Sequence, residues 1–570
     1  MRAVMSSNGR LGPRIAAALV AVGVTLLHGV AVESQSAAEP TLSADDVRAA
    51  LESAARAINS NSLSVAVVDR GGRILGVLAR PGAPELGRDV AVTTARAAAM
   101  FSNRHAPLST RTVRFISGIH FPPGVPNAPN AALYGIENSN RGCQLSGSSP
   151  LEPARSIAGS ALAGPARACS PVDPSGCALG HPISNNRAQN FFAGFSTGKT
   201  DVQDFGEPLN VPVNPGGFAM YRGGRVLGAV GVAGLDPDQA EYVAAVAAAT
   251  TGLPVPVKPL PAPGAVFIEG LRLPFFADCT SVDCVEEHLR AGAPRAAAGT
   301  FSASDIRVEP RPGRAVPTGY LIGPLGSADP GGLTADDVRR IVDQAVARAS
   351  ITRAQIRLPL TQPTSMVIAV SDQSGTILAA FRMDDSTVFS FDVAATKARN
   401  AYYFSTREGY EVLRDHVRMN PEYAWEPEPP AGQGWAITNR TLGFGGQPLF
   451  PPGIDLDGTT PGPWFNLFLY DLANPCTEGP GPSRGGNRNY LNQSGIVWFP
   501  GSAPLYKSGR LVGGVGVSGD GIEQDDYVTA AAVSGFDAPA ELRADRSVIR
   551  TRDGAVRLPY WKFPRNPELR

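Results

Sequence analysis

Gly224-Arg-Val-Leu-Gly228 followed by Val230-Gly-Val-Ala-Gly234 recurs late in the chain as Gly509-Arg-Leu-Val-Gly513 followed by Val515-Gly-Val-Ser-Gly519. Each run is glycine-rich and β-branched, and each follows a tight turn, Arg222-Gly-Gly224 or Lys507-Ser-Gly509. A glycine that tolerates positive φ between two β-rich runs signals a hairpin. Working outward, more pairs appear. Leu42-Ser-Ala-Asp-Asp-Val47 matches Leu333-Thr-Ala-Asp-Asp-Val338, and Val65-Ala-Val-Val-Asp69 matches Ile368-Ala-Val-Ser-Asp372. Asp89-Val-Ala-Val-Thr93 matches Asp392-Val-Ala-Ala-Thr396, Phe121-Pro-Pro-Gly124 matches Phe450-Pro-Pro-Gly453, and Arg272-Leu-Pro-Phe275 matches Arg557-Leu-Pro-Tyr560. All keep the same order, which marks an internal duplication.

The duplication sets the expected boundaries. Residues 42–276 form one copy, with an irregular insertion at about 125–210. A Pro/Gly-rich linker covers 277–330, the second copy covers 333–561 with an insertion at about 454–497, and 562–570 is a tail. Copy two is also longer near 351–364. Within each copy Ser43 or Thr334 stands where a helix N-cap belongs, ahead of apolar residues at helical spacing. Two β-rich runs follow, 63–68 and 73–78 or 366–370 and 376–381, around Asp-Arg-Gly-Gly or Asp372-Gln-Ser-Gly375. An Ala-rich helix, the long excursion, the second hairpin and a closing helix with Tyr242 or Tyr527 complete the copy. Hairpins require antiparallel pairing, so the fold is α/β with antiparallel sheets and not a dinucleotide-binding parallel sheet.

Composition narrows the functional classes. The chain has 570 residues with 51 basic and 51 acidic groups, so no overall field attracts a polyanion. Hydrophobic residues make up 43%, enough for a large core, and of the 63 Gly and 51 Pro, 23 and 20 lie in the insertions and linker. Arg10 and Arg14 precede an apolar run from Ile15 to Leu27, and Ser36-Ala-Ala38 fits a small-x-small cleavage site. That layout reads as a signal peptide over 1–38 and implies a periplasmic or extracellular protein with no remaining membrane span. Six cysteines, 143, 169, 177, 279, 284 and 476, permit disulfides after export, with the pairing open. No C-x-x-C-H occurs, so covalent c-type haem is excluded. Gly194-Phe-Ser-Thr-Gly198-Lys199-Thr200 is one residue short of a phosphate loop and lies in an insertion.

The combination of Asp372-Gln-Ser-Gly375, Phe-Arg-Met-Asp384, Thr396-Lys397-Ala-Arg-Asn-Ala401, the Gly513–Gly519 strand and Glu523-Gln-Asp525 resembles the GlcG/HbpS-like haem-binding domain family, present as two tandem copies. The resemblance implies two profilin-like α/β/α domains with antiparallel sheets and long loop insertions. It also implies assembly, here as an intramolecular pseudo-dimer or a homo-oligomer. As cofactor it implies haem or another tetrapyrrole, bound without a covalent link. The family lysine matches Lys397, where copy one has Thr94; Lys397, one of only five lysines, and Arg399 are the expected partners of haem propionates. Tyr403 and Thr406 are candidate oxygen ligands, and His105 and His120 follow the Ala-rich helix of copy one. Arg382 and Asp384 are expected to form a local ion pair. Two other readings stand beside haem binding: a partner-binding pseudo-dimer without a small ligand, and an enzyme on a small hydroxy- or oxo-acid. No metal-ligand spacing or nucleophile elbow accompanies them, and no catalytic residue is assigned.

Overall fold

The structure, a computed structural model, describes residues 40–84, 87–105, 108–117, 121, 131–134, 215–251, 267–268, 271–272, 299–357, 361–451, 460–473 and 495–569. The signal segment, all six cysteines, His120 and most of the 125–210 insertion lie outside them.

The first repeat begins with α1 (Ala44–Ala57), then β1 (Ser64–Asp69), β2 (Ile74–Ala79), α2 (Gly87–Phe101) and α3 (Thr110–Phe115). It continues with β3 (Gly217–Arg222), β4 (Arg225–Ala233), α4 (Pro237–Ala248) and the short pair β5 (Phe267–Ile268) and β6 (Leu271–Arg272). Two strands follow, β7 (Ile306–Val308) and β8 (Gly319–Ile322). The second repeat has α5 (Ala335–Ala349), β9 (Val367–Asp372), β10 (Ile377–Arg382), α6 (Ser390–Tyr403) and α7 (Arg407–Arg418). After these come β11 (Ala424–Glu426), α8 (Asn439–Gly445), α9 (Phe465–Ala473), β12 (Ser502–Lys507), β13 (Arg510–Ser518) and α10 (Ile522–Ala532), then the hairpin β14 (Val548–Thr551) and β15 (Gly554–Arg557).

Two five-stranded antiparallel sheets result, ordered β3-β4-β1-β2-β7 and β12-β13-β9-β10-β8. Ser64 pairs with Ala233 and Val367 with Ser518, so the repeats share one register. The central strands β1 and β9 are buried along their whole length, because helices cover both faces of each sheet. Hence they read as continuous apolar runs and not as alternating ones. Ser43 and Thr334 both close capping boxes, as expected from the sequence.

The segment between the repeats is more than a linker. Its β7 adds an edge to the first sheet and its β8 to the second. Their half-exposed, short sequences give too weak a period to announce strands. The 454–497 insertion likewise contains α9, and Trp464 beside it is wholly buried. All five tryptophans belong to one aromatic core formed by residues 403–450, this insertion, Trp498 and the chain end. The tail also docks, with Leu569 N–H donating to Ile351 O and Arg353 N–H to Pro567 O.

The two repeats share a core. Phe101 stacks on Phe389 at 4.1 Å, and Val388 N–H donates to Met100 O. Glycines let the Ala-rich α6 lie against β13: a Cβ on Gly516 would sit 2.1 Å from Ala394 O. Backbone cannot yield there as a flexible side chain would. Gly516→Ala is therefore expected to destabilise the protein by roughly 1–3 kcal/mol, read as a lower urea midpoint at unchanged m-value.

Candidate functional site

Helix α6 carries two buried cations on different faces, since residues two apart on a helix point about 200° apart. Lys397 is 0% exposed. Its Nζ donates to Val517 O at 2.8 Å and Asp525 Oδ2 at 3.0 Å, and lies 5.0 Å from the Phe499 ring centre. Burial disfavours charge on both partners: the Lys397 ammonium is pushed below its ordinary value and the Asp525 carboxyl up to about 7. Gly501, at φ +115°, makes room, because a Cβ there would meet Asp525 Cβ at 2.6 Å and Lys397 Nζ at 2.7 Å.

Arg399 faces the first hairpin and donates from Nε to Gly375 O at 2.7 Å. Arg96 stands at the matching position of copy one and donates to Gly72 O at the same 2.7 Å. A contact repeated in both copies at one distance is a structural clamp on the hairpin turn. The Asp69 and Asp372 side chains hold these same turns by accepting backbone N–H groups. The Lys397–Asp525 pair is not repeated. Register places Thr94 and Ala240 at the matching positions, so both partners are missing together from copy one.

More buried charge surrounds this pair. Asp526 accepts from Arg440, from Gly501 N–H at 3.0 Å and from Lys562 N–H at 3.0 Å. Its counterpart Glu241 is held by Arg111 through two bonds of 2.8 Å. Arg357, from the extra stretch near 351–364, pairs with Asp520 and, at 2.7 Å, with Asp385. Asp385 also accepts from Arg104 N–H of copy one at 3.0 Å. Burial pushes the Asp385 carboxyl up, but Arg357, Arg70 and Arg104 outweigh it and hold it below the ordinary range. Asp384 pairs with Arg104 and not with Arg382, whose guanidinium goes to the Val316, Pro317 and Ser386 carbonyls. The expected Arg382–Asp384 pair is thus replaced by one that crosses between repeats.

Two concave features flank these groups. At the junction of the repeats lies an apolar cavity of about 30 Å³, or about 460 Å³ of space counted out to its open mouth. Phe101, Leu133, Phe389, Phe499 and Ile522 wall it, and Asp525 is its charged residue. At the far end of α6 is a cleft of about 410 Å³ on the first of these measures, lined by Tyr402, Thr406, Arg407, Tyr506, Ser508 and Arg510 among others. Thr406 caps α7, accepting from Gly409 N–H at 3.0 Å and donating to Tyr403 O at 2.7 Å. Burial raises the Tyr402 hydroxyl above its ordinary value, and Asp329, Asp372 and Glu408 add to this.

The residues singled out in the sequence do not converge. Lys397 sits behind the cavity, Arg399 at the hairpin and Thr406 at the cleft. Tyr403 is 2% exposed in the aromatic core against Phe404, and His105 is half-buried between α2 and α3. Sequence reading missed Asp525 as the partner of Lys397, the Arg357 network, and Tyr402 and Arg510 in the cleft. One signal was available for the first: aligning the copies shows Lys397 and Asp525 changing together to Thr94 and Ala240. Among the described residues no group of three or more His, Cys, Asp or Glu is placed to hold a metal, and no helix is long and apolar enough to cross a membrane.

A sequence model of the haem-degrading HbpS-like proteins matches residues 333–453 and 465–534, taking in α5, both hairpins, α6 and α10. The second repeat is similar to the HbpS-like domains. The HbpS-like match skips part of the 454–497 insertion and contains Lys397, Asp525 and the whole lining of the cleft. No curated protein matches the chain. Among solved structures, a PduOC–haem complex is 18% identical over 36% of this chain and 97% of its own, with a TM-score of 0.19. The ORFY protein of Klebsiella pneumoniae is 18% identical over 36% of this chain and 90% of its own, with a TM-score of 0.20.

Proposed function

We propose that this protein is an exported protein that binds haem or a related tetrapyrrole without a covalent link. The observation that carries this reading is the match of the second repeat to haem-degrading HbpS-like proteins. Export rests on Arg10, Arg14, the apolar run that follows and Ser36-Ala-Ala38.

The chemistry of the two concave features separates them. A haem site needs room for a macrocycle, cations for its carboxylates and, as a rule, an axial His, Cys, Met or Tyr. The junction cavity is too small and has none of those four residue types in its lining. The cleft has the room, two arginines and two tyrosines. Arg407 and Arg510 would hold the propionates, Tyr402 would offer oxygen to the iron beside Thr406, whose hydroxyl is engaged in the α7 cap, and Leu511 with the tyrosine rings would face the macrocycle. The bound group would supply the visible absorption and any redox chemistry.

Titration of the purified full-length protein with haemin is expected to saturate with a shifted Soret band. Tyr402→Phe is expected to change that spectrum. The Arg407→Ala, Arg510→Ala variant is expected to weaken binding by about tenfold or more, the worth of a charged hydrogen bond. An unchanged spectrum in the wild-type protein overturns the reading. Tight binding that ignores all three substitutions overturns the placement in the cleft.

A further inference from the structure

Asp525 presents two different oxygens. Oδ2 is held by Lys397 at 3.0 Å. Oδ1 is buried without a hydrogen-bond partner among the described residues, on a side chain that lines the junction cavity and is 3% exposed. An unpaired buried carboxylate oxygen is costly, and such positions in native proteins call for a partner. The rest of the wall supplies little competition. Ser518 Oγ already meets Ser390 Oγ at 3.2 Å, Phe101, Leu108, Ile116, Leu133, Phe389 and Phe499 are apolar, and Gln355 is the other polar side chain of the wall.

These features define a ligand class. Above about pH 7, where Asp525 is ionised, an anion would face its carboxylate. A cation would add an extra charge to a place where Lys397 and Arg440 already balance Asp525 and Asp526, and burying a charge without its own partner is unfavourable. A neutral, compact, apolar molecule with one O–H or N–H satisfies the oxygen and fills the space between the phenylalanines. The mouth lets part of it stand outside the small interior. We propose that the cavity between the repeats is a binding site for a small neutral hydroxyl- or NH-bearing apolar molecule of the phenol class, its donor directed to Asp525 Oδ1 and its body held by rings from both repeats. The site is separate from the cleft assigned to the tetrapyrrole, which shares none of its lining residues.

The test compares phenol with benzene, two rings of one shape that differ by the donor, each titrated into the full-length protein by calorimetry or NMR. Phenol is expected to bind at one site per chain, about tenfold or more tighter than benzene. Ile522→Phe, at the half-buried rim, is expected to abolish phenol binding while leaving the Lys397–Asp525 contact in place. Tyr402→Phe is expected to leave phenol binding unchanged, which keeps this result independent of the haemin titration. Equal affinity for phenol and benzene overturns the role of Asp525. Absence of binding by either molecule means that a water alone meets Oδ1, and phenol binding unaffected by Ile522→Phe means that the site is elsewhere; either result overturns the proposal.

Discussion

Replacing Arg357 by Met is expected to destabilise the protein by about 3–5 kcal/mol, the usual cost of leaving a buried charge without its partner. Arg357 is 2% exposed and is the cation between Asp520, which is 0% exposed, and Asp385. Methionine keeps much of the volume and removes every donor, so two carboxylates lose their cation at once. Ser365 N–H still reaches Asp520 and Arg104 still reaches Asp385, which keeps the loss finite. The pH dependence follows from the sign of the shift. Without Arg357 both acids are pushed up, Asp520 above its unfolded value and Asp385 less far, because Arg104 and Arg70 still face it. A raised carboxyl contributes stability below its unfolded value and loses it as pH rises through the folded one. The deficit of Arg357→Met is therefore expected to be largest near neutral pH and to shrink as pH falls toward 4. Urea unfolding at a series of pH values measures it. A deficit under about 1 kcal/mol at pH 7 would place Arg357 with surface ion pairs in worth.

Arg357 also shows where sequence reading stopped. The two hairpins, the capped opening helices and the Ala-rich helices were legible because each depends on local chemistry: a turn glycine, an N-cap oxygen, a repeated run. The strands β7 and β8 were not legible, because they are held by pairing with β2 and β10 and have little pattern of their own. The charge network was hidden for a similar reason. Arg357, Asp385 and Asp520 are far apart in sequence, and each alone reads as a surface residue. Burial turns them into one unit. Arg399 illustrates the opposite case. Its place on the Ala-rich helix suggested a ligand contact, whereas Arg96 in the other copy, making the same bond to a turn carbonyl, identifies it as part of the scaffold. A duplication is thus a control within one molecule. What both copies keep is needed for the fold, and what one copy has lost as a set is free to serve something else.

The Lys397–Asp525 pair is such a set, and it leads to a double-mutant prediction. Lys397→Thr leaves Asp525 buried and unpaired, and Asp525→Ala does the same to Lys397; each is expected to cost about 3–5 kcal/mol. The double variant installs the Thr and Ala that copy one has in Thr94 and Ala240, and neither of these needs a charged partner. It is expected to be more stable than either single variant, so that the two costs fail to add by about 3 kcal/mol or more. Protonation changes the single variant in a stated direction. Asp525 already stands at about 7 against an ordinary 3.8, its contribution present below 3.8 and lost as pH rises through about 7. Loss of the Lys397 charge moves the carboxyl higher still. The deficit of Lys397→Thr is therefore expected to grow as pH rises past 7 and to be smallest near pH 5, where Asp525 is neutral. Urea unfolding of the four proteins at pH 5 and pH 8 decides the matter. Additive costs, or a Lys397→Thr deficit independent of pH, would show that the two side chains are not energetically coupled despite their 3.0 Å contact. Strong coupling would mean that Asp525 lines the junction cavity as half of a single buried unit. The proton affinity of that unit would then be set by Lys397 and by whatever occupies the cavity.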